Sequence, residues 1–241
     1  MAQYMYGKNV VRQLLKGDRK IYEILLAEGF KDKELESLAL KKQAVIRTVP
    51  KRKLDQLLKT TYHQGIAASV EEYKTYTLEE LLAAIPDSKQ PLLVMLDGLE
   101  DPQNLGAILR TCDCVGADGV IIGKNRSVQL NATVAKTSTG AIDTVKVASV
   151  TNLARSIQAL KEKGFWVVGA DMEKAIDYRD MQCDVPLLLV IGSEGFGISS
   201  LVKKNCDYMV ALPMTGSVTS LNASVACGIL LYEIYSKRHP R

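Results

Sequence analysis

LPMTGSVTSLNASVA, residues Leu212–Ala226, opens as an apolar strand ending in Pro213 and passes through a small polar loop around Gly216. It then enters a helix predicted to carry Ser220, Asn222 and Ser224 among apolar neighbours. A core helix has no packing reason to place so much hydrogen-bonding capacity in its first turn. Buried polar groups need partners, and a ligand can be one. The competing explanation is local: Thr219 or Ser220 caps the free N–H groups at the helix start.

Two other stretches have the same strand–loop–helix form. In Leu96–Thr111, LDGLEDPQNLGAILRT, the run PLLVMLDGL (91–99) reads as a short buried strand. Asp101-Pro102 then supplies an N-cap and a first-turn proline. Leu105, Ile108, Leu109, Cys112 and Val115 form a helical stripe, with Asn104 and Arg110 off it. Asn104 falls at the carboxyl end of the strand, where open α/β sheets bind ligands. In Pro186–Ser199, PLLLVIGSEGFGIS, an apolar strand runs into a turn with Gly192, Gly195 and Gly197 and one carboxylate, Glu194, and then into a helix. These glycines match neither a dinucleotide fingerprint nor a phosphate loop, which disfavours a cofactor held by a pyrophosphate cradle.

Taken in order, Asn104-x-Gly106-x-x-x-Arg110, Ile191-Gly-Ser-Glu-Gly195 and Leu212-Pro-Met with Ser220-Leu-Asn-Ala-Ser224 resemble the three motifs of the SpoU (TrmH-type) family of RNA ribose 2′-O-methyltransferases, in the knotted SPOUT class. Lys136–Ala141 (KTSTGA) resembles the family's small-residue segment between the first two motifs. The resemblance covers about residues 90–236. It implies a mostly parallel sheet flanked by helices, a trefoil knot in the C-terminal part, and S-adenosylmethionine as methyl donor without a metal. Implied cofactor positions are Ile191, Gly192, Gly195, Leu212, Met214, Ser220, Leu221 and Ala223; implied catalytic positions are Asn104, Arg110, Glu194, Ser220 and Asn222. Arg110 is the family's essential arginine; the resemblance implies that Asn104 orients Arg110 or the ribose and that Glu194 holds Arg110 or accepts a proton. It also implies a homodimer, for which the almost all-round apolar helix Leu221–Tyr235 offers a buried interface.

Charge is uneven. Residues 1–60 hold 14 Lys and Arg against 7 Asp and Glu, whereas the whole chain is only +4. A basic front module ahead of a catalytic one suggests a polyanionic substrate, most simply nucleic acid. The front end reads as a small α/β domain: a helix over 7–15, a strand over 21–26, a helix over 32–44, a strand over 45–49, a helix over 51–59 and a last strand after His63. Tyr6-Gly-Lys-Asn-Val and His63-Gln-Gly65 resemble the L30e-like RNA-binding domain that precedes many SpoU catalytic domains. Lys8, Arg12, Lys51, Arg52 and His63 are its candidate RNA contacts, although Lys51-Arg52-Lys53 is equally a solvated helix surface. The expected layout is an L30e-like domain over 1–72, a linker over 73–90 and a methyltransferase domain over 91–241.

This arrangement resembles the family's bacterial 23S rRNA guanosine enzymes more than its tRNA enzymes, which lack the front domain. A tRNA ribose methyltransferase, an enzyme for another rRNA site and a non-catalytic RNA-binding assembly factor are the alternatives. No run is long enough for a membrane span and the N-terminus lacks a signal-peptide core, so a cytoplasmic location is expected. Five cysteines form no C-x-x-C pair and His63 and His239 are far apart, so no zinc site is indicated. Cys112 and Cys227 read as small core residues.

Overall fold

The structure, a computed structural model, describes residues 2–17, 19–86, 90–217 and 220–240. The chain forms two compact units, Met1–Tyr73 and Lys74–Arg241.

The first unit runs β1 (Ala2–Tyr6), α1 (Lys8–Lys16), β2 (Ile21–Ala27), α2 (Lys33–Lys41), β3 (Ile46–Val49), α3 (Lys51–Leu58) and β4 (Ile66–Glu71). Its sheet has the order β1-β4-β2-β3, antiparallel except for β2 with β3. Val11, Leu14 and Leu15 of α1 and Leu35 and Ala39 of α2 pack with Ile24, Ile66, Ala68 and Val70 of the sheet. Leu54 of α3 packs with Leu25, Val49 and Ala67 in a separate cluster. The pattern of the sequence missed β1. That strand is short and holds no alternating apolar run; its pairing with β4, Ala2 opposite Glu71 through Tyr6 opposite Ala67, defines it.

The second unit contains α4 (Leu78–Ala83), β5 (Leu92–Asp97), α5 (Pro102–Val115), β6 (Gly119–Gly123), α6 (Ala132–Ser138), α7 (Ala141–Thr144) and β7 (Val147–Val150). These are followed by α8 (Leu153–Glu162), β8 (Trp166–Ala170), β9 (Ile176–Asp177), β10 (Leu187–Gly192), α9 (Ser200–Lys203), β11 (Tyr208–Ala211) and α10 (Ala223–Arg238). The strand order is β7-β6-β5-β10-β8-β11-β9, and every named pair is parallel. The strands β5, β6 and β10 are continuous apolar runs because helices cover both faces. The helix expected after Pro186–Ser199 is only the short α9.

α5 follows the sequence expectation closely. Asp101 caps it by accepting the Gln103 N–H, Pro102 occupies its first turn, and Gly116 ends it in the left-handed region. Gly106 lies where α5 meets α6: a Cβ there would fall 2.6 Å from Thr137 Cβ. The KTSTGA segment is therefore the packing partner of the first motif. Burial pushes the Cys227 thiol up to about 12 and the Cys112 thiol well above its ordinary value, so both are neutral core groups. Among the described residues no helix is long and apolar enough to cross a membrane.

The expected linker over 73–90 departs most from the structure. Tyr76 bridges Ala148 of β7, and Thr77 and Glu80 form a reciprocal capping box at the start of α4. Leu78 and Leu81 are buried with Met95, Ile121 and Leu160 in the main core, and Leu81 lies over Gly119. The segment reads as polar and then helical, but its burial depends on strands far along the chain. Residues 87–89 of that linker lie outside the described residues. Leu81→Ala is expected to cost about 2–5 kcal/mol of stability in denaturant unfolding, as a core truncation does. A change within about 0.5 kcal/mol, typical of surface positions, would mean that α4 is a tether and not part of the core.

Candidate active site

The order of strands places the site. From β5 the chain turns to β6 and β7 on one side, whereas β10 lies on the other side of β5 and leads on to β11. The loops after β5 and β10 diverge at that boundary, which opens a crevice at the strands' carboxyl ends. Asp97 Oδ2 accepts the Ser199 N–H at 2.7 Å and ties the two loops together.

Three side chains from the three motifs meet here. Asn104, only 5% exposed in the first turn of α5, donates Nδ2–H to Glu194 Oε1 at 2.9 Å. Asn222 donates Nδ2–H to Asn104 Oδ1 at 2.9 Å and also, by a short contact, to Glu194 Oε1. The Ala223 N–H reaches the same Oε1 at 3.4 Å. No described residue donates a hydrogen bond to Glu194 Oε2.

Asn222 also caps α10. Its Oδ1 accepts from Ser224 N at 3.0 Å, Val225 N at 3.3 Å and Ser224 Oγ at 2.6 Å. The sequence pattern predicts Ser220 and Asn222 inside this helix. The strand ends at Ala211 and α10 begins at Ala223, so both precede it, and the cap is Asn222 and not Ser220. Thr219, the other capping candidate, lies outside the described residues.

Two clefts flank the network. The first is a cleft open to solvent, lined by Leu212, Met214, Ser220 and Leu221, with Ala170–Met172, Val210, Ala211, Ala226 and Leu230. Its walls are apolar apart from Ser220 and Asp171. Burial alone would raise the Asp171 carboxyl, but the Lys203 ammonium at 2.7 Å outweighs it and holds that carboxyl below its ordinary value. The second cleft, about 580 Å³, lies between Gly98–Asp101 and Ser193–Phe196 and includes Asn104 and Glu194.

The remaining expected positions fall elsewhere. Gly192 lines neither cleft; a Cβ on it would fall 2.1 Å from the Gly197 carbonyl carbon, so it permits the following turn to fold back on the strand. Ile191 is buried in β10, Ala223 is buried at the start of α10, and Gly195 lines the second cleft and not the first. Arg110 is exposed on α5 and forms no hydrogen bond or ion pair with a described residue. Of the roles expected for Asn104 and Glu194, contact with Arg110 is not met within one chain, whereas orienting the ribose and accepting a proton stay open. Six positions separate Asn104 from Arg110, which at about 100° per residue turns them to different sides of the helix.

In the first unit, His63 is fully buried: Nε2 meets Asp55 Oδ1 at 2.8 Å and Nδ1 accepts the Gly65 N–H at 3.0 Å. It shapes the loop and cannot itself touch RNA, which corrects the expectation. Lys8 and Arg12 already face Asp32, and Arg12 also faces Glu34. Lys51 and Arg52 are exposed at the start of α3.

The sequence reading missed Ala170–Met172, Leu99–Asp101 and Phe196. Only Phe196 carried a local signal, an aromatic between two glycines of a polar turn. Among the described residues no group of three or more His, Cys, Asp or Glu side chains is placed to hold a metal ion.

The chain belongs to the SpoU rRNA methylase family, which it matches over residues 91–232. Residues 4–76 match the family described as RNA 2′-O ribose methyltransferase substrate binding. A protein of Bacillus subtilis (strain 168), named for the TrmH family of tRNA/rRNA methyltransferases, is 50% identical over 98% of this chain and 96% of its own. A protein of the same description from Staphylococcus haemolyticus is 48% identical over 97% and 95%. Among solved structures, the SpoU methyltransferase AviRb of Streptomyces viridochromogenes, in complex with AdoMet, shares the fold: TM-score 0.68, 24% identity, 99% of this chain and 91% of that one. The TrmH/SpoU tRNA modifying enzyme of A. aeolicus matches with TM-score 0.58 and 29% identity over 67% and 82%.

The double use of Asn222 can be separated. Asn222→Ala loses cap and network together and is expected to lower stability by about 1–3 kcal/mol. Asn222→Ser keeps a capping oxygen but cannot reach Asn104. Thermal unfolding should rank wild type above Asn222→Ser above Asn222→Ala. Equal stability of wild type and Asn222→Ser would show that the network adds nothing to the fold.

Proposed function

We propose that this chain transfers a methyl group from S-adenosylmethionine to a ribose 2′-hydroxyl of RNA, and that the substrate is a guanosine of 23S rRNA. The observation that carries the reading is the Asn104–Glu194–Asn222 network, two members of which line one cleft, while Ser220 and Leu221, just before Asn222, line a second, apolar one.

The first cleft suits the methyl donor. Its apolar walls with loop backbone nearby suit an adenine ring. Leu212, Met214, Ser220 and Leu221 would hold it. When bound, S-adenosylmethionine supplies a methyl carbon already activated by the sulfonium charge.

The protein must orient the hydroxyl and remove its proton. Asn104 and Asn222 orient the Glu194 carboxylate through Oε1, which leaves Oε2 to accept the hydroxyl proton. Arg110 is unsuited to that task because a guanidinium stays charged at neutral pH. Exposed and without a partner among the described residues, it can grip a phosphate next to the target ribose with two parallel hydrogen bonds. The basic front unit, with Lys51 and Arg52 outward, favours a large RNA. The relatives' naming for both tRNA and rRNA keeps a tRNA substrate as the second reading.

The active form in this reading is a cytoplasmic homodimer. α10 buries Cys227, Leu230, Leu231 and Ile234 on its inner side and exposes Val225, Ile229, Tyr232 and Tyr235 on its outer side. A second copy would cover that outer stripe. Sedimentation of the full chain at micromolar concentration should show a dimer, and Ile229→Asp a monomer; a monomeric wild type would remove this part of the proposal.

The direct test uses labelled S-adenosylmethionine and rRNA from cells lacking the protein. Label should appear at an alkali-resistant linkage in 23S rRNA, on a guanosine. Arg110→Ala should lower turnover by at least about 100-fold, with cofactor affinity nearly unchanged, and Arg110→Lys should remain poor. Glu194→Gln should lose turnover while staying folded. Label found only on a base would sink the assignment, and an active Glu194→Gln would leave Glu194 as scaffold alone.

A further inference from the structure

Phe196 is 96% exposed, and nothing in the fold accounts for it. Removing a phenylalanine side chain from water is worth about 1.5–3 kcal/mol, which this one forgoes. The turn does not need it. Ser193 and Gly197 close the turn with backbone bonds of 3.1 and 2.8 Å, and Gly197 has φ +64°. Gly192 lets the turn fold tightly against the end of β10, and buried Ile198 and the Ser199–Asp97 bond anchor its far side. The ring therefore stands at the mouth of the second cleft on a fixed mount.

That cleft is continuous with the reaction centre, since Asn104 and Glu194 line it together with Leu99, Glu100 and Phe196. On the reading proposed above, the reacting ribose lies against Asn104 and Glu194. Its base, one bond away, must lie in or beside the same cleft. Three carboxylates, Glu100, Asp101 and Glu194, face it, which excludes phosphate and favours a group rich in hydrogen-bond donors. Asp101 Oδ1 is engaged by the Gln103 N–H, and Glu194 Oε1 by the network. Glu100 is exposed and has no hydrogen bond or ion pair with a described residue.

We infer that this cleft holds the base of the nucleotide being methylated, stacked on the Phe196 ring, with the Glu100 carboxylate accepting hydrogen bonds from its edge. A base extruded from its helix is held in this way, by stacking on an aromatic and by hydrogen bonds to its pairing edge. The base that presents two adjacent donors to two carboxylate oxygens is guanine, through N1–H and the N2 amino group. Phe196 and Glu100 are thus specificity residues: they touch the base and not the reacting atoms.

The test is methyl transfer by the full chain to rRNA from cells lacking the protein, with S-adenosylmethionine affinity by calorimetry and the oligomeric state by sedimentation. Phe196→Ala and Phe196→Leu should each lower kcat/KM by about 5- to 150-fold, the range for one lost base stack. Phe196→Trp should restore most of it, and cofactor affinity should not change in any of them. Glu100→Gln should lower kcat/KM by about 5-fold or more. A fully active Phe196→Leu would overturn stacking, because the leucine keeps apolar bulk without a ring. Dissociation of a wild-type dimer by Phe196→Ala would reassign the ring to a contact between copies. An unaffected Glu100→Gln would overturn the guanine edge. A wild type that transfers no methyl group to RNA removes the underlying reading, and this inference with it.

Discussion

The candidate active site depends on the parallel pairing of β5 with β10, in register from Leu92 opposite Leu187 to Asp97 opposite Gly192. Several intervening elements separate these strands in sequence, so the pairing closes a long loop before any local contact supports it. The entropic cost of closure grows only slowly with loop length, and two continuous apolar runs buried on both faces offset it. Non-local parallel pairing is also slow to form. Once made, it brings the ends of both strands side by side, and the divergence of the following loops leaves a crevice between them.

The network in that crevice is economical in its choice of side chains. The primary amide of Asn104 donates to Glu194 while its carbonyl accepts from Asn222, and Asn222 repeats the pattern with a carbonyl turned to α10. Aspartate lacks the donors for either position. Each such hydrogen bond contributes about 0.5–1.5 kcal/mol net, but an unpaired buried partner costs about 1–3 kcal/mol. The assembly is therefore worth most when intact, and loss of one member affects the others.

Features with local causes were legible in the sequence. β5 and β10 showed as apolar runs bounded by turn residues, α5 through Asp101-Pro102 and Gly116, and the three polar motif segments by their place after strands. Features that depend on distant partners were not. α4 showed as a helix, but its burial comes from β7 and the main core. His63 is buried and bonded to Asp55 on the preceding helix, whereas histidine at a loop reads equally as a surface contact. Ala170–Met172 carry no signal, because they line a cleft only through the position of β8 beside β11. The start of α10 lies at Ala223 and not in the Ser220 region, because the cap is Asn222, which is not one of the caps expected from sequence.

Because the first turn of α10 is held by the same Asn222 that joins Asn104 to Glu194, local opening there cannot spare the network between them. Fraying of that turn frees the Ser224 and Val225 amides and releases Asn222 from its partners in one event. Local openings of this kind set the exchange of amide hydrogens with solvent. The exchange rates at these two amides are therefore a gauge of how often the Asn104–Glu194–Asn222 network is broken, readable in the resting protein with no substrate present.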